Sequence, residues 1–162
     1  MAQLSYVKKL VKGQAGQLAD DGVIDVLSRV NPSVDVNFGV LVVNDVNDGE
    51  CKLPGAAADI TAVESPLGVA MRTHAIESQA DGDPANYPMS KPINVLHKGR
   101  VLVTAEEAVV KGDPVFVRYV AGSGQLGGFR MSDPGTEAAQ LAGARWMEDA
   151  GAGALAVLEL DL

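Results

Sequence analysis

The chain has 162 residues, is 47% hydrophobic but only 4% aromatic, and carries a formal net charge of -8. That length suits one domain with its own core, that apolar share excludes a disordered chain, and that acidity argues against a nucleic-acid partner. The single cysteine, Cys51, excludes an internal disulfide and any cysteine cluster for zinc or iron–sulfur.

The first twenty or so residues alternate apolar and polar groups loosely, and "MAQLSYVKKLVKGQAGQ" lacks the long apolar core of a secretion signal after its lysines. No later stretch reaches the apolar length of a spanning helix, so no membrane partner is expected. The chain then runs into "KGQAGQLADDG", whose glycines, glutamines and paired aspartates suggest an extended arm or loop. Residues 1–22 are accordingly taken as an N-terminal arm and 23–162 as a single β domain.

"VIDVLSRV" (23–30) is rich in Val and Ile, alternates, and is soon followed by Pro32, which predicts a strand. "VDVNFGVLVVND" (34–45) is a second β-rich run, ended by the turn-forming "NDVNDGE". The Ala/Gly/Pro-rich region from Leu53 to Asp59 predicts a loop, and "PLGVAMRTHAIE" (66–77) another strand. "SQADGDPANYPMSKP" (78–92) is a long polar stretch with three prolines, hence a loop or arm of the kind that is often functional.

In "INVLHKGRVLVTA" (93–105), Lys98-Gly99 sits between two β-type runs, as in a hairpin or a kinked strand. "EEAVVKGDPVFVRYV" (106–120) places a turn at Lys111 to Asp113 and a strand opening at Pro114. "GGFRMSD" (127–133) is the expected return strand. "AAQLAGARWMED" (138–149) fits either a helix or a strand leading into a loop, and "LAVLELDL" (155–162) is a closing strand. Eighteen glycines and eight prolines spread along these elements predict many turns and short strands, and so an all-β domain.

Gly122 to Gly127 matches G-x-G-x-x-G, which in dinucleotide-binding proteins comes after a strand and opens a helix that carries the pyrophosphate. A strand precedes the pattern here, but Gly128 and Pro134 interrupt the residues just after it, so a glycine-rich hairpin turn is expected. In "DVNDGE" (45–50), Glu50 and Ala56 stand where a calcium loop starting at Asp45 needs glycine and a bidentate glutamate, which leaves a plain turn. His74 and His97 have no local partner for a metal. Ser65 lacks a nucleophile-elbow context, and Glu106-Glu107 is expected to be a solvated edge. Thr104 to Glu107 matches a capping box whose helix Gly112 would cut short. Trp146 is expected to anchor the core. No catalytic constellation survives, so neither an enzyme nor a cofactor is expected, and binding or structure is the natural class.

The order of segments carries a resemblance. "GQAGQLADDGVIDVLSRVNPS" (13–33), "VNFGVLVV" (36–43), "SPLGVAMRTHAIE" (65–77), "VVKGDPVFVRY" (109–119), "GGFR" and "ARWMEDAGAGALAVLEL" (144–160) together resemble the capsid cement or decoration proteins of tailed bacteriophages. The resemblance implies a non-enzymatic virion protein on the capsid exterior, assembled in the host cytoplasm. Its implied partners are the major capsid protein and itself, as a homotrimer that bridges capsid subunits against internal DNA pressure. It also implies a compact antiparallel β-barrel or jelly-roll-like sandwich with an extended N-terminal arm and long loops.

Arms and loops cover much area per residue and can add strands to a neighbour's sheet edge. The candidate contact residues are therefore Leu4, Tyr6, Val7, Leu10, Gln14, Gln17 and Leu18 of the arm, with Asn86, Tyr87 and Met89 of the 78–92 loop. The plain alternative for both segments is exposed chain with no partner. Rival functions are a tail or baseplate component and a small-molecule-binding β-barrel that uses the 120–130 loop.

Overall fold

Valine-rich runs broken by glycine and proline favour short strands, because β-branched side chains lose rotamer freedom in a helix but pack well on a pleated surface. The computed structural model describes residues 13–20, 22–73, 86–122 and 124–162, and the fold is all-β. Its strands are β1 (Asp25–Val30), β2 (Val36–Asn37), β3 (Leu41–Asn44), β4 (Cys51–Lys52), β5 (Pro66–Ala70) and β6 (Asn86–Tyr87). They continue with β7 (Pro92–Thr104), β8 (Phe116–Arg118), β9 (Phe129–Arg130), β10 (Ala138–Gln140), β11 (Ala144–Trp146) and β12 (Leu155–Asp161). A five-residue helix, α1 (Ala57–Thr61), interrupts the segment expected to be loop.

The largest sheet has the order β11-β12-β7-β5-β3-β4, with β1 also paired to β7. Its spine is the 13-residue β7, whose first half pairs antiparallel with β1 and β5. The second half pairs with β12, and on it lies the end of the predicted arm. Gly16 N donates to Leu102 O, Leu102 N to Gln17 O, and Ala19 N to Arg100 O. Of the two expectations for Lys98-Gly99, the kinked strand is the one realised. Gly99 has φ +132°, and a Cβ there would meet Ile24 Cγ2 at 3.0 Å, so the bend needs glycine.

β3 shows why its run has no polar alternation. Leu41 and Val43 enter one core, while Val40 and Val42 enter another on the opposite face of the sheet. The first core is closed by the small sheet β10-β8-β9 through Val117, Phe129 and Ala139, and it buries Trp146. The second is closed by the two-stranded ribbon β2-β6, where Tyr87 packs edge-on against Phe38 with ring centroids 5.0 Å apart. The main sheet is thus the middle layer of three.

Several sequence expectations change in detail. The 34–45 run splits into β2 and β3, because Gly39 N turns aside to donate to Ala70 O. The ambiguous 138–149 segment forms two strands, β10 and β11, separated by a turn at Gly143. The 78–92 stretch contributes β6, and its residues 78–85 lie outside the described residues. At one corner Val30 N donates to Gly49 O, which brings β1 near β4 through a single bridge. The sheet remains open there, and no closed barrel forms among the described residues.

Candidate functional site

The glycine-rich stretch joins β8 to β9, which pair antiparallel at Phe116↔Arg130 and Val117↔Phe129. It is a hairpin loop, and β9 stands where a phosphate-binding helix would have to start. Gly127 has φ +74°, donates to Arg118 O and accepts from Leu41 N at 2.9 Å, which fastens the loop to β3. The loop is also held from below. Gln125 N donates to Glu106 Oε1 at 3.2 Å, and Asn37 Nδ2 donates to Gln125 Oε1 at 2.8 Å. Gly124 and Gly127 are the glycines this seating requires: a Cβ would lie 2.4 Å from Glu106 Oε1 at the first and 2.5 Å from Leu41 O at the second.

Glu106 and Glu107 do not form a solvated edge. Arg118 and Arg130, on β8 and β9, are 3% and 9% exposed, and buried guanidinium groups demand carboxylate partners. Arg118 donates from Nε to Glu106 at 3.0 Å and from Nη1 to Glu137 at 2.7 Å. Arg130 lies 3.7 Å from Glu106 and 3.3 Å from Glu107. Glu107 also accepts from the amides of Met131 and Ser132 and from the Ser132 hydroxyl. Burial opposes ionisation of Glu107, but those donors and Arg130 overcome it and hold the carboxyl below the usual range. The hydrogen bond that Arg118 donates to Glu106 raises the Arg118 pKa above an already high value.

This network floors a cleft of about 840 Å3 lined by Phe38, Arg72, Glu106, Arg118, Gln125 and Glu137, among others. Arg72 lies over the Phe38 ring, 5.2 Å from its centre. The carboxylates of the cleft, Glu106 and Glu137, are both engaged by Arg118, and among the described residues no histidine or cysteine lines it. The arrangement fixes the hairpin to the sheet below it.

The other singled-out residues have structural places. Trp146 is 1% exposed in the core. His97 is half-buried with Nδ1 2.7 Å from Leu67 O, and His74 lies outside the described residues. The 45–50 turn closes on itself, with Asn47 Nδ2 donating to Glu50 Oε2. Cys51 is buried, and burial pushes its thiol up to about 11.

Of the candidate contact residues, Leu4, Tyr6, Val7 and Leu10 lie outside the described residues. Gln14 and Gln17 are exposed, and Leu18 is half-buried at a bridge to Val101. Met89 is 52% exposed, and Asn86 is half-buried on β6. Tyr87 has no side chain to offer a partner as the chain stands: it is 2% exposed, and its hydroxyl donates to Met71 O at 2.7 Å.

The family described as "Structural cement protein (E217 gp24/Pam3 gp6)" matches residues 2–161. The chain belongs to this phage cement family. It is therefore a structural protein and not an enzyme, and it associates with a phage capsid shell. A chain from a structure titled "The capsid of Myoviridae Phage XM1" has the same fold, with a TM-score of 0.73 at 18% identity, over 99% of this chain and 97% of that one. A second, the head fiber gp8.5 N base of bacteriophage phi29, aligns over 86% of this chain and 95% of its own, with 13% identity and a TM-score of 0.43. No curated protein sequence matches the cement protein.

Sequence reasoning missed two features. The first is the buried pair Arg118 and Arg130, whose only signal is that each comes directly after a core residue (Val117 or Phe129) at a strand end. The second is the exposed apolar run at the start of β1, where Val23, Ile24 and Val26 are 80%, 44% and 41% exposed.

Proposed function

We propose that the protein docks as a homotrimer on the outer face of an assembled phage head and bridges neighbouring major capsid protein subunits. The observation that carries this reading is the structural cement match across residues 2–161, in agreement with the segment order of the sequence. A protein that binds only the assembled lattice stabilises it by mass action, and many copies multiply a modest contact energy. Bridging opposes the outward pressure of packed DNA. The three-layer β domain suits a clamp, since its 119–128 hairpin and residues 16–19 of the arm are tied to the sheets by backbone pairing and ion pairs. Gln14, Gln17 and Met89 are exposed for contact.

The test uses heads assembled without this protein. Adding purified protein should give saturable binding and raise the temperature at which the heads release DNA. Binding to unassembled capsid subunits but not to heads, or binding with no thermal gain, refutes the reading. Light scattering of the free protein measures whether the trimer exists before docking.

A further inference from the structure

The open edge of β1 carries more information than its exposed valines. Val30 N donates to Gly49 O, and Asn94 O accepts from Met71 N, so Val30 and Ser28 are not hydrogen-bonded to their β7 partners Pro92 and Asn94. Antiparallel pairs alternate, and by that alternation the N–H and C=O of Val26 and Ser28 point away from β7 toward the open edge. Among the described residues, the one partner seen for these four groups is a substitute: Arg29 Nη1 donates to Ser28 O at 2.9 Å. Arg29 Nε is buried with no acceptor among the described residues. A bare edge with apolar flanks is a template for another strand.

We propose that this edge pairs with the same edge of a second copy, antiparallel about Leu27. The sequence Asp25-Val26-Leu27-Ser28-Arg29 is its own complement under that two-fold. Val26 meets Ser28 of the other copy through their outward groups, giving about four backbone hydrogen bonds in all. Asp25 meets Arg29 of the other copy, once on each side, which provides a carboxylate for the guanidinium and frees Ser28 O to accept from the incoming strand. The neighbouring registers fail this condition. Shifting the two-fold to Val26 sets Asp25 against Leu27, and shifting it to Ser28 sets Val26 against Val30, whose N–H is already used.

So short a contact is weak in dilute solution and suits molecules already held side by side. The proposal goes beyond docking itself. Neighbouring three-fold positions on a closed shell are related by local two-folds, so this strand pair would join adjacent trimers into a net.

Cysteine cross-linking tests the register. Leu27→Cys places two thiols on directly opposed residues at a separation compatible with a disulfide. On fully decorated heads, mild oxidation should then convert the protein to a covalent dimer on a non-reducing gel. The same should occur in concentrated free protein, while the wild type, with Cys51 buried, stays monomeric. If Leu27→Cys folds poorly, Val26→Cys mixed with Ser28→Cys tests the same register at exposed positions. Asp25→Arg or Arg29→Asp in the cysteine background should abolish the dimer, and the two together should restore it. A folded, head-bound cysteine variant that gives no dimer, or charge reversals that leave the yield unchanged, overturns the proposal. Failure of the wild type to bind heads would instead refute the docking reading and leave the solution cross-link as a separate result.

Discussion

Glu106→Leu should destabilise the protein more than Arg118→Met, although the two side chains form one ion pair. The difference lies in what each substitution leaves behind. The Arg118 side chain is 4% exposed, whereas Glu106 is 18% and Glu137 41% exposed. Without Glu106, a buried cation keeps only Glu137, and Arg130 loses its 3.7 Å neighbour. Breaking a buried pair from one side costs about 3–5 kcal/mol, and the surviving Glu137 contact places this case near 3 kcal/mol. Without Arg118, the carboxylates left behind can reach water, and methionine fills much of the vacated space, so about 1–2 kcal/mol is expected. For a domain of this size those figures correspond to drops in Tm of roughly 6–12 °C and 2–8 °C. The double variant Glu106→Leu/Arg118→Met should cost less than the sum, because no cation is then stranded beside Glu137. Trp146, the only tryptophan, is buried and gives a direct fluorescence readout of urea unfolding. An Arg118→Met cost equal to or above that of Glu106→Leu would show that exposure of the stranded group does not set the order.

Glu107 has a depressed pKa, so its contribution to stability is complete above its ordinary value of 4.5 and is lost as pH falls through the lower folded value. Glu107→Gln should therefore lower the urea midpoint at neutral pH and flatten its decline below about pH 4.5, and parallel slopes in variant and wild type would contradict this. Gly127→Ala forces a side chain into φ +74° with Cβ 2.5 Å from Leu41 O. It should cost upwards of about 2 kcal/mol and make the 119–128 loop easier to nick with protease, both measurable against Gly122→Ala, where a Cβ meets open space. Cys51, buried with its thiol near 11, should react with a disulfide reagent only at the rate of unfolding, and rapid labelling of the native protein would refute its placement.

The strands were legible where chemistry and period agreed. Residues 23–30 and 155–162 carry Val, Ile and Leu in simple alternation, and they became β1 and β12. The hairpin around Gly122 to Gly127 was also legible, because Pro134 and Gly128 rule out the helix that a nucleotide site needs. Partnering was not legible. Glu106 and Glu107 look like surface residues along the chain, and only the fold brings them to Arg118 and Arg130, twelve and twenty-three residues away. Tyr87 misled for a similar reason. It sits in a polar, proline-rich stretch that suggests exposure, yet Phe38 and the carbonyl of Met71 provide a pocket that no local pattern reveals. The family could be read from segment order because that order survives when individual side chains drift, as the 18% identity to a chain of the same fold illustrates.

The spine strand also bears on how the molecule is made. β7 finds its partners at residues 16–19, 25–30, 66–70 and 155–161, so almost none of its pairing is local. Such topologies fold slowly, since distant segments must meet before any of them is rewarded. The second half of β7 leaves the ribosome about fifty residues before the strand that will cover it, with Val101 and Val103 on a long unpaired edge in the interval. Yield in a host cell should thus depend on what shields that edge during synthesis, and slower translation after residue 104 would lengthen the exposure.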